Sequence, residues 1–178
     1  MSSALVQIVD RAVAEALALA GDQIVCRKGC THCCIGPFAV TVLDLERLRM
    51  GIEELSSEDR ERLRQRSMEA REVMREGFPG DWTTGIVEEL DEADRFDVRH
   101  PWLPCPVLDL EAGACSLHQW RPVACRLHGP ALLMNGLRIQ HCRLNYADVP
   151  ASNYAVSFET PDCSEVSPLS YIAWAATS

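Results

Sequence analysis

Four cysteines are crowded into nine residues near the start of this chain, in the sequence CRKGCTHCC. They are Cys26, Cys30, Cys33 and Cys34, and five more follow at Cys105, Cys115, Cys125, Cys142 and Cys163. A single cysteine usually packs as a small buried hydrophobe, but four in one short loop add nothing to a core. The crowding does bring sulfur atoms toward one point, which metal ions and iron–sulfur clusters require. The sequence therefore indicates a metal-binding protein.

The length of 178 residues suits one domain with a hydrophobic core of its own. We expect a single cysteine-cluster metal-binding domain over residues 1–178, with cysteine segments at 24–37 and 104–143 around a helical insert. Nine cysteines in a chain of this length are too sparse for a disulfide scaffold.

The first apolar stretch does not have the pattern of an export signal. No cluster of positive charges precedes it, and Asp10 and Glu15 interrupt it. We expect a cytoplasmic protein, in which clustered cysteines serve metal or redox chemistry rather than disulfides. No apolar run is long enough to span a bilayer, so no membrane partner is expected.

The net charge of −9 disfavours a nucleic-acid partner. Basic residues nevertheless flank the cysteines, where cations favour deprotonated thiolates. Arg121 and Arg126, in RPVACR, are candidate cofactor-binding residues that could donate to cluster sulfides or to an anionic ligand. The alternative is that they form structural ion pairs with the acidic helices.

Local signals predict a mainly α fold: a small single-domain helical fold with a cysteine-rich irregular region and a short β-hairpin. Apolar residues at helical spacing predict a first helix from Leu5 to Ala20. Two capping pairs predict helices that begin after Thr41 and after Ser56, ending near Gly51 and Gly77. Further predicted elements are a helix from Trp82 to about Phe96, a hairpin turn at Asn135-Gly136, and a terminal helix from Ser170 to Ala176.

The cysteine motifs occur in a specific order: CRKGCTHCC with VTVLDLERL after it, then PCPVL, GACSLHQWRPVACR and QHCRL. This arrangement resembles the YkgJ-like cysteine-cluster proteins, the family known as the CxxCxxCC zinc- or iron-chelating domain, over residues 24–50 and 100–145. The chain differs in having three residues between its first two cysteines, and Leu117-His118 where the family often has tyrosine. The resemblance implies metal or iron–sulfur binding.

Thiolates are soft ligands that select zinc or iron–sulfur clusters over hard cations. Eight cysteines are the candidate metal ligands: Cys26, Cys30, Cys33, Cys34, Cys105, Cys115, Cys125 and Cys142. They suffice for two four-thiolate sites, or for one cluster with spare thiols. Neighbouring side chains of an extended backbone point in opposite directions, so we expect Cys33 and Cys34 to serve two sites, or one of them to be a ligand and the other a buried or reactive thiol. Cys163 stands outside the motifs and is expected to be unliganded.

The leading hypothesis is a protein that holds an iron–sulfur cluster, or alternatively zinc, for redox chemistry, metal handling or cluster-dependent modification of a protein partner. One alternative is a methyltransferase-like enzyme related to the flagellin lysine N-methylases, which carry a similar cysteine cluster. No glycine-rich nucleotide loop follows a strand pattern here, which argues against that alternative. The other alternative is a purely structural zinc-bound interaction module. Whether the protein is an enzyme stays open at this point.

Overall fold

The computed structural model describes residues 2–161 and 168–177, which form five α-helices and seven short strands. The helices are α1 (Ser2–Ala20), α2 (Val42–Glu53), α3 (Ser57–Met74), α4 (Leu90–Asp97) and α5 (Val123–Leu127). The strands are β1 (Ala39–Thr41), β2 (Leu108–Asp109), β3 (Ala114–Cys115), β4 (Leu132–Met134), β5 (Leu137–Ile139), β6 (Val156–Phe158) and β7 (Leu169–Tyr171). The mainly α fold class with short β elements is confirmed.

The chain divides into two compact units, which we call unit 1 (Met1–Arg27 with Val123–Val166) and unit 2 (Lys28–Pro122 with Ser167–Ser178). Each unit combines residues from both cysteine segments. That residues 1–178 act as one metal-binding domain stays a prediction.

In unit 1, helix α1 packs against α5 and against a three-stranded sheet of order β5-β4-β6. The apolar face predicted from the spacing supplies Val9 and Ala16, which are fully buried against Leu132 and Val156. Strands β4 and β5 form the predicted hairpin. Its turn residues Asn135 and Gly136 both have positive φ, 51° and 78°, as a type I′ turn requires.

Unit 2 is built around an aromatic and aliphatic core. Helices α2, α3 and α4 contribute Leu48, Leu63 and Phe96, which pack with the buried Tyr171 and Trp174 near the end of the chain. Strands β1 and β7 pair antiparallel, which joins the segment that follows the first cysteine loop to the chain's last described residues. The partly buried Cys105 and Cys115 pack against this core.

Both predicted helix caps are confirmed. The hydroxyls of Thr41 and Ser56 accept hydrogen bonds from the N–H groups of Asp44 and Asp59, each at 3.1 Å. Helix α2 continues past Gly51 to Glu53. Gly51 therefore does not end the helix. A glycine occupies this helical position because the Trp120 ring packs directly against it and leaves no room for a side chain.

One predicted helix is confirmed only in its second half, and another is wrong. The predicted helix from Trp82 begins only at Leu90, because Val87 is fully buried and pairs through its backbone with Leu169 at 3.0 Å and 3.1 Å. The predicted terminal helix from Ser170 to Ala176 is instead strand β7 followed by a 3₁₀ turn over Ile172–Trp174. In both places, long-range pairing overrides a local helical pattern.

Candidate metal centre

The double cysteine lies in a 3₁₀ turn over His32–Cys34, in unit 2. The Cys34 N–H donates to the Thr31 carbonyl at 2.8 Å and closes this turn. The turned backbone brings the sulfur atoms of Cys33 and Cys34 to 3.9 Å from each other. The expectation of an extended backbone with opposed side chains is therefore wrong, and the two sulfurs share one side.

A backbone ladder joins the two cysteine segments within unit 2. The Gly36 N–H donates to the Leu103 carbonyl, and the Cys105 N–H donates to the Cys34 carbonyl, each at 2.8 Å. Ile35 and Pro104 form an antiparallel bridge between these bonds. Cys105 is therefore a direct backbone neighbour of the double cysteine.

Cys115 is held by the short β2–β3 ribbon, in which it pairs with Leu108. The turn of this ribbon touches the first cysteine loop, since the Gly29 N–H donates to the Gly113 carbonyl at 3.2 Å. Gly113 has a φ of 59°, and a Cβ there would lie 3.1 Å from the Gly29 Cα. A glycine at this position therefore lets the loop that carries Cys30 approach the strand that carries Cys115 without strain.

The thiols of unit 2 influence one another electrostatically. The hydrogen bond with Cys34, followed by partial loss of hydration and the Cys34 charge, raises the pKa of the Cys33 thiol far above its ordinary value, although part of this side chain still faces solvent. Burial raises the pKa of Cys115, and the Cys33 charge acts in the same direction. Arg121 lowers the pKa of both Cys33 and Cys115. Cys33 and Cys115 therefore share one electrostatic environment, and Arg121 is the cation that favours their thiolate forms.

The two candidate arginines have different surroundings. In unit 2, Arg121 Nη1 lies 2.6 Å from His118 Nε2. In unit 1, Arg126 is buried and donates to both carboxylate oxygens of Asp10 at 2.8 Å. Arg126 therefore forms an ion pair, but with α1 rather than with the acidic helices, whereas Arg121 lies within electrostatic range of Cys33 and Cys115.

Unit 1 contains Cys26, Cys125 and Cys142, of which Cys26 is exposed and Cys142 is buried. The side chain of Asn145 lies beside the Cys26 sulfur, with Nδ2 at 3.8 Å. Sequence reasoning missed Asn145, because one asparagine in a polar loop resembles an ordinary turn residue. Cys163 lies outside the described residues.

The donor set in unit 2 fits a soft metal ion. Two ligands of a tetrahedral zinc ion with bonds of about 2.3 Å lie about 3.8 Å apart, and the Cys33 and Cys34 sulfurs are 3.9 Å apart. Within residues 2–161 and 168–177, no three histidine, cysteine, aspartate or glutamate side chains already surround one point closely enough to hold a metal ion. Metal binding would therefore have to draw further thiolates toward the Cys33–Cys34 pair.

No α-helix among the described residues combines the length and the apolar character needed to cross a membrane. Comparison with curated proteins and with solved structures gave no match. The family model described as "CxxCxxCC: Putative zinc- or iron-chelating domain" matches residues 25–143, more than half of the chain. This range includes all eight candidate cysteines and both candidate arginines. The chain belongs to the CxxCxxCC family of zinc- or iron-chelating domains.

Proposed function

We propose that unit 2 chelates one soft metal ion, zinc in the first place, in an exchangeable thiolate site. Cys33, Cys34 and Cys115 supply three of its ligands, and Cys30 or Cys105 supplies the fourth. Each thiol gives up its proton when the ion binds. The observation that carries this proposal is the 3.9 Å separation of the Cys33 and Cys34 sulfurs, close to the edge of a zinc–sulfur tetrahedron.

Accessibility favours an exchangeable site over a purely structural one. Cys33 is exposed, and Cys34, Cys105 and Cys115 are only partly buried, so an incoming ligand or partner can reach the ion. Structural zinc sites are closed, and small zinc domains depend on them for folding. Unit 2 has a core of its own, formed by residues such as Leu48, Phe96 and Trp174. This core supports a role in metal handling and argues against the purely structural zinc module.

An iron–sulfur cluster is the second candidate, and it would extend the function to redox chemistry or to cluster-dependent modification of a protein. Unit 2 contains five cysteines, Cys30, Cys33, Cys34, Cys105 and Cys115, which exceeds the four ligands that a cluster takes. The charge of Arg121 beside Cys33 and Cys115 would offset the negative charge of such a cluster. The methyltransferase-like alternative stays a prediction from the sequence resemblance.

Metal analysis of anaerobically purified protein tests the proposal. We expect about one ion per chain for the unit 2 site, and a marked loss of bound metal in each of Cys33→Ser, Cys34→Ser and Cys115→Ser, because a hydroxyl is a poor ligand for a soft ion. Cys163→Ser makes the same chemical change outside the motifs and should leave the metal content unaltered. The proposal fails if Cys163→Ser removes the metal while the three unit 2 variants retain it.

The colour of the same preparations separates the two candidates. A mononuclear zinc site leaves the protein colourless. An iron–sulfur cluster makes the protein brown, with a broad absorption band that a reductant bleaches. A brown preparation would therefore favour the iron–sulfur cluster over zinc.

A further inference from the structure

Asn145 is a buried residue of unit 1 that connects three separate stretches of the chain. Only 3% of it is exposed, and it lies two residues beyond the range that matches the family model. Its Oδ1 accepts a hydrogen bond from the Val25 N–H at 3.0 Å, across 120 residues of sequence. Its Nδ2 donates to the Gly129 carbonyl at 2.8 Å. The residue before Cys26 is thereby fixed to the loop that follows α5.

The same amide also faces the sulfur of Cys26. Nδ2 lies 3.8 Å from the sulfur and Oδ1 lies 4.0 Å from it. A primary amide has two N–H donors and two acceptor lone pairs. One donor and one acceptor are used by Gly129 and Val25, which leaves the second N–H for a Cys26 thiolate and the second lone pair for a Cys26 thiol. Asn145 can thus bind this sulfur in either protonation state.

Cys142 belongs to the same hydrogen-bond network. Its N–H donates to the Gly129 carbonyl at 3.1 Å, and its own carbonyl accepts from the Asn145 N–H at 3.0 Å. Cys142 and the Asn145 side chain therefore converge on one acceptor, the Gly129 oxygen. Gly129 itself has a φ of 132°, which L side chains rarely adopt, and a Cβ there would lie 3.7 Å from the Cys26 sulfur.

Tyr146, next to Asn145 in the sequence, forms hydrogen bonds to the chain segments on either side of this network. It adopts a positive φ of 59°, and its N–H donates to the Gln23 carbonyl at 3.0 Å. Its hydroxyl accepts from the Ala131 N–H at 2.9 Å. Tyr146 therefore orders the same two chain segments as Asn145, and a Tyr146→Phe variant provides a control for loss of structure alone.

We propose that Asn145 is a positioning residue that holds Cys26 as a thiolate ligand for a soft metal ion bound in unit 1. Asn145 holds Cys26 beside the Cys142 loop and donates an N–H···S hydrogen bond to the metal-bound Cys26 sulfur. Such hydrogen bonds orient thiolate ligands and tune the metal that they hold. The ligand class is a soft divalent cation, which Cys26 can receive because it is exposed. This inference deepens the proposed chelating function, but it does not depend on the unit 2 site.

Protection of cysteines from alkylation tests the proposal residue by residue. The full chain is treated with iodoacetamide with and without cadmium, and the modified peptides are quantified by mass spectrometry. In the wild type, cadmium should slow alkylation of Cys26 at least tenfold. Asn145→Asp keeps the acceptor for Val25 but loses both N–H donors, and it should abolish most of the protection at Cys26. Tyr146→Phe should leave the protection in place.

The alkylation rates of Cys33 and Cys34 are measured in the same samples, and they test only the unit 2 site. The Asn145 proposal is overturned if cadmium does not protect Cys26 in the wild type, or if Asn145→Asp protects it as well as the wild type does. It is also overturned if Tyr146→Phe loses the protection to the same extent.

A second measurement needs no variant and covers the case in which Asn145→Asp does not fold. In wild-type protein loaded with cadmium-113, a side-chain amide proton of Asn145 should show a scalar coupling to the metal through the Cys26 sulfur. A cadmium-loaded protein in which Asn145 shows no such coupling would contradict the N–H···S bond.

Discussion

Arg121 and Arg126 lie in one motif, yet their surroundings give them different roles. The Arg121 charge lowers the pKa of Cys33 and Cys115, whereas Arg126 is occupied by its ion pair with Asp10. The sequence predicts both as candidates because both flank cysteines. It could not separate them, because Asp10 lies 116 residues away from Arg126 and the pairing depends on how α1 packs. The same reason explains why Asn145, whose partners are distant in sequence, escaped prediction.

Removing the Arg121 charge should weaken metal binding in unit 2. In Arg121→Gln, the Cys33 and Cys115 thiols hold their protons more tightly, so an incoming ion competes less well against them. We expect zinc affinity to fall about tenfold, the lower end of the effects seen for residues that support metal ligands. Competition titration with a colorimetric chelator measures this change. Arg121→Lys keeps the charge and should retain most of the affinity, and equal losses in both variants would contradict an electrostatic role.

Asp97, at the end of α4, gives unit 2 a pH-dependent stability. Burial raises its pKa from 3.8 to about 6, with the Asp94 charge acting in the same direction and the Tyr171 hydroxyl against it. Between about pH 4 and pH 6, the folded protein therefore keeps a proton on Asp97 that the unfolded chain has lost. As the pH rises through this range, Asp97 progressively lowers the free energy of unfolding. Above about pH 6 the full penalty is present.

Asp97→Asn removes this penalty and should stabilise the protein at pH 8 by about 1 kcal/mol, a value reduced from the full shift because the carboxyl is partly exposed. Near pH 4 the variant and the wild type should have similar stability. Urea unfolding at both pH values measures the difference. Asp91→Asn, on an exposed position of the same helix, should show no comparable pH dependence. A gain for Asp97→Asn that is the same at pH 4 and pH 8 would exclude a titration effect.

At the scale of elements, the sequence predicts correctly those helices and turns whose stabilising interactions lie within the element itself. Helices α1, α2 and α3 and the Asn135-Gly136 hairpin form as predicted, because their apolar spacing, caps and turn residues lie within the elements themselves. The segment before Leu90 and the end of the chain were predicted wrongly, because Val87 pairs with Leu169 and β7 pairs with β1. Neither pairing leaves a signal in a short sequence window.

Gly51→Ala is a test of tertiary packing against helix propensity in α2. Alanine would favour a helix interior by about 1 kcal/mol over glycine. Here, however, its Cβ would overlap the Trp120 ring, whose indole N–H is bonded to Glu54 at 3.1 Å. We expect a net loss of about 1 to 3 kcal/mol in the free energy of unfolding, the usual cost of overpacking. Met50→Ala changes an exposed neighbour on the same helix and should have little effect. A stabilising Gly51→Ala would show that the Trp120 ring moves aside without cost.

At the scale of the whole molecule, the double cysteine lies outside the apolar cores, whereas part of the second cysteine segment belongs to them: Val107 and Leu117 are buried in the core of unit 2, and Leu132 in that of unit 1. The largest core groups Leu48, Phe96 and Trp174, whereas the double cysteine lies in an irregular loop held by backbone bonds to Leu103 and Cys105. The sequence predicted that the cysteine segments would associate. The folded backbone decides which cysteines lie in unit 1 and which lie in unit 2. The spacing of the motifs does not predict this division.

Metal removal should therefore loosen the cysteine segments and leave the helices folded. After treatment with a chelator, hydrogen exchange should accelerate over residues 26–37 and 105–142 much more than over α1, because the metal-bound thiolates order the loops and the apolar face orders the helix. Helical content by circular dichroism should change little. Equal protection of the cysteine segments with and without metal would contradict the account, as would a collapse of all helices.

The most direct test of the central claim is X-ray absorption at the metal edge of the full chain as purified without oxygen. The account predicts a zinc ion surrounded by sulfur atoms at about 2.3 Å, with a reduced number of sulfur neighbours per chain in the Cys33→Ser, Cys34→Ser double variant. A metal surrounded only by nitrogen and oxygen atoms, or a sulfur shell that the double variant leaves unchanged, would contradict the proposal that the Cys33–Cys34 pair binds the ion.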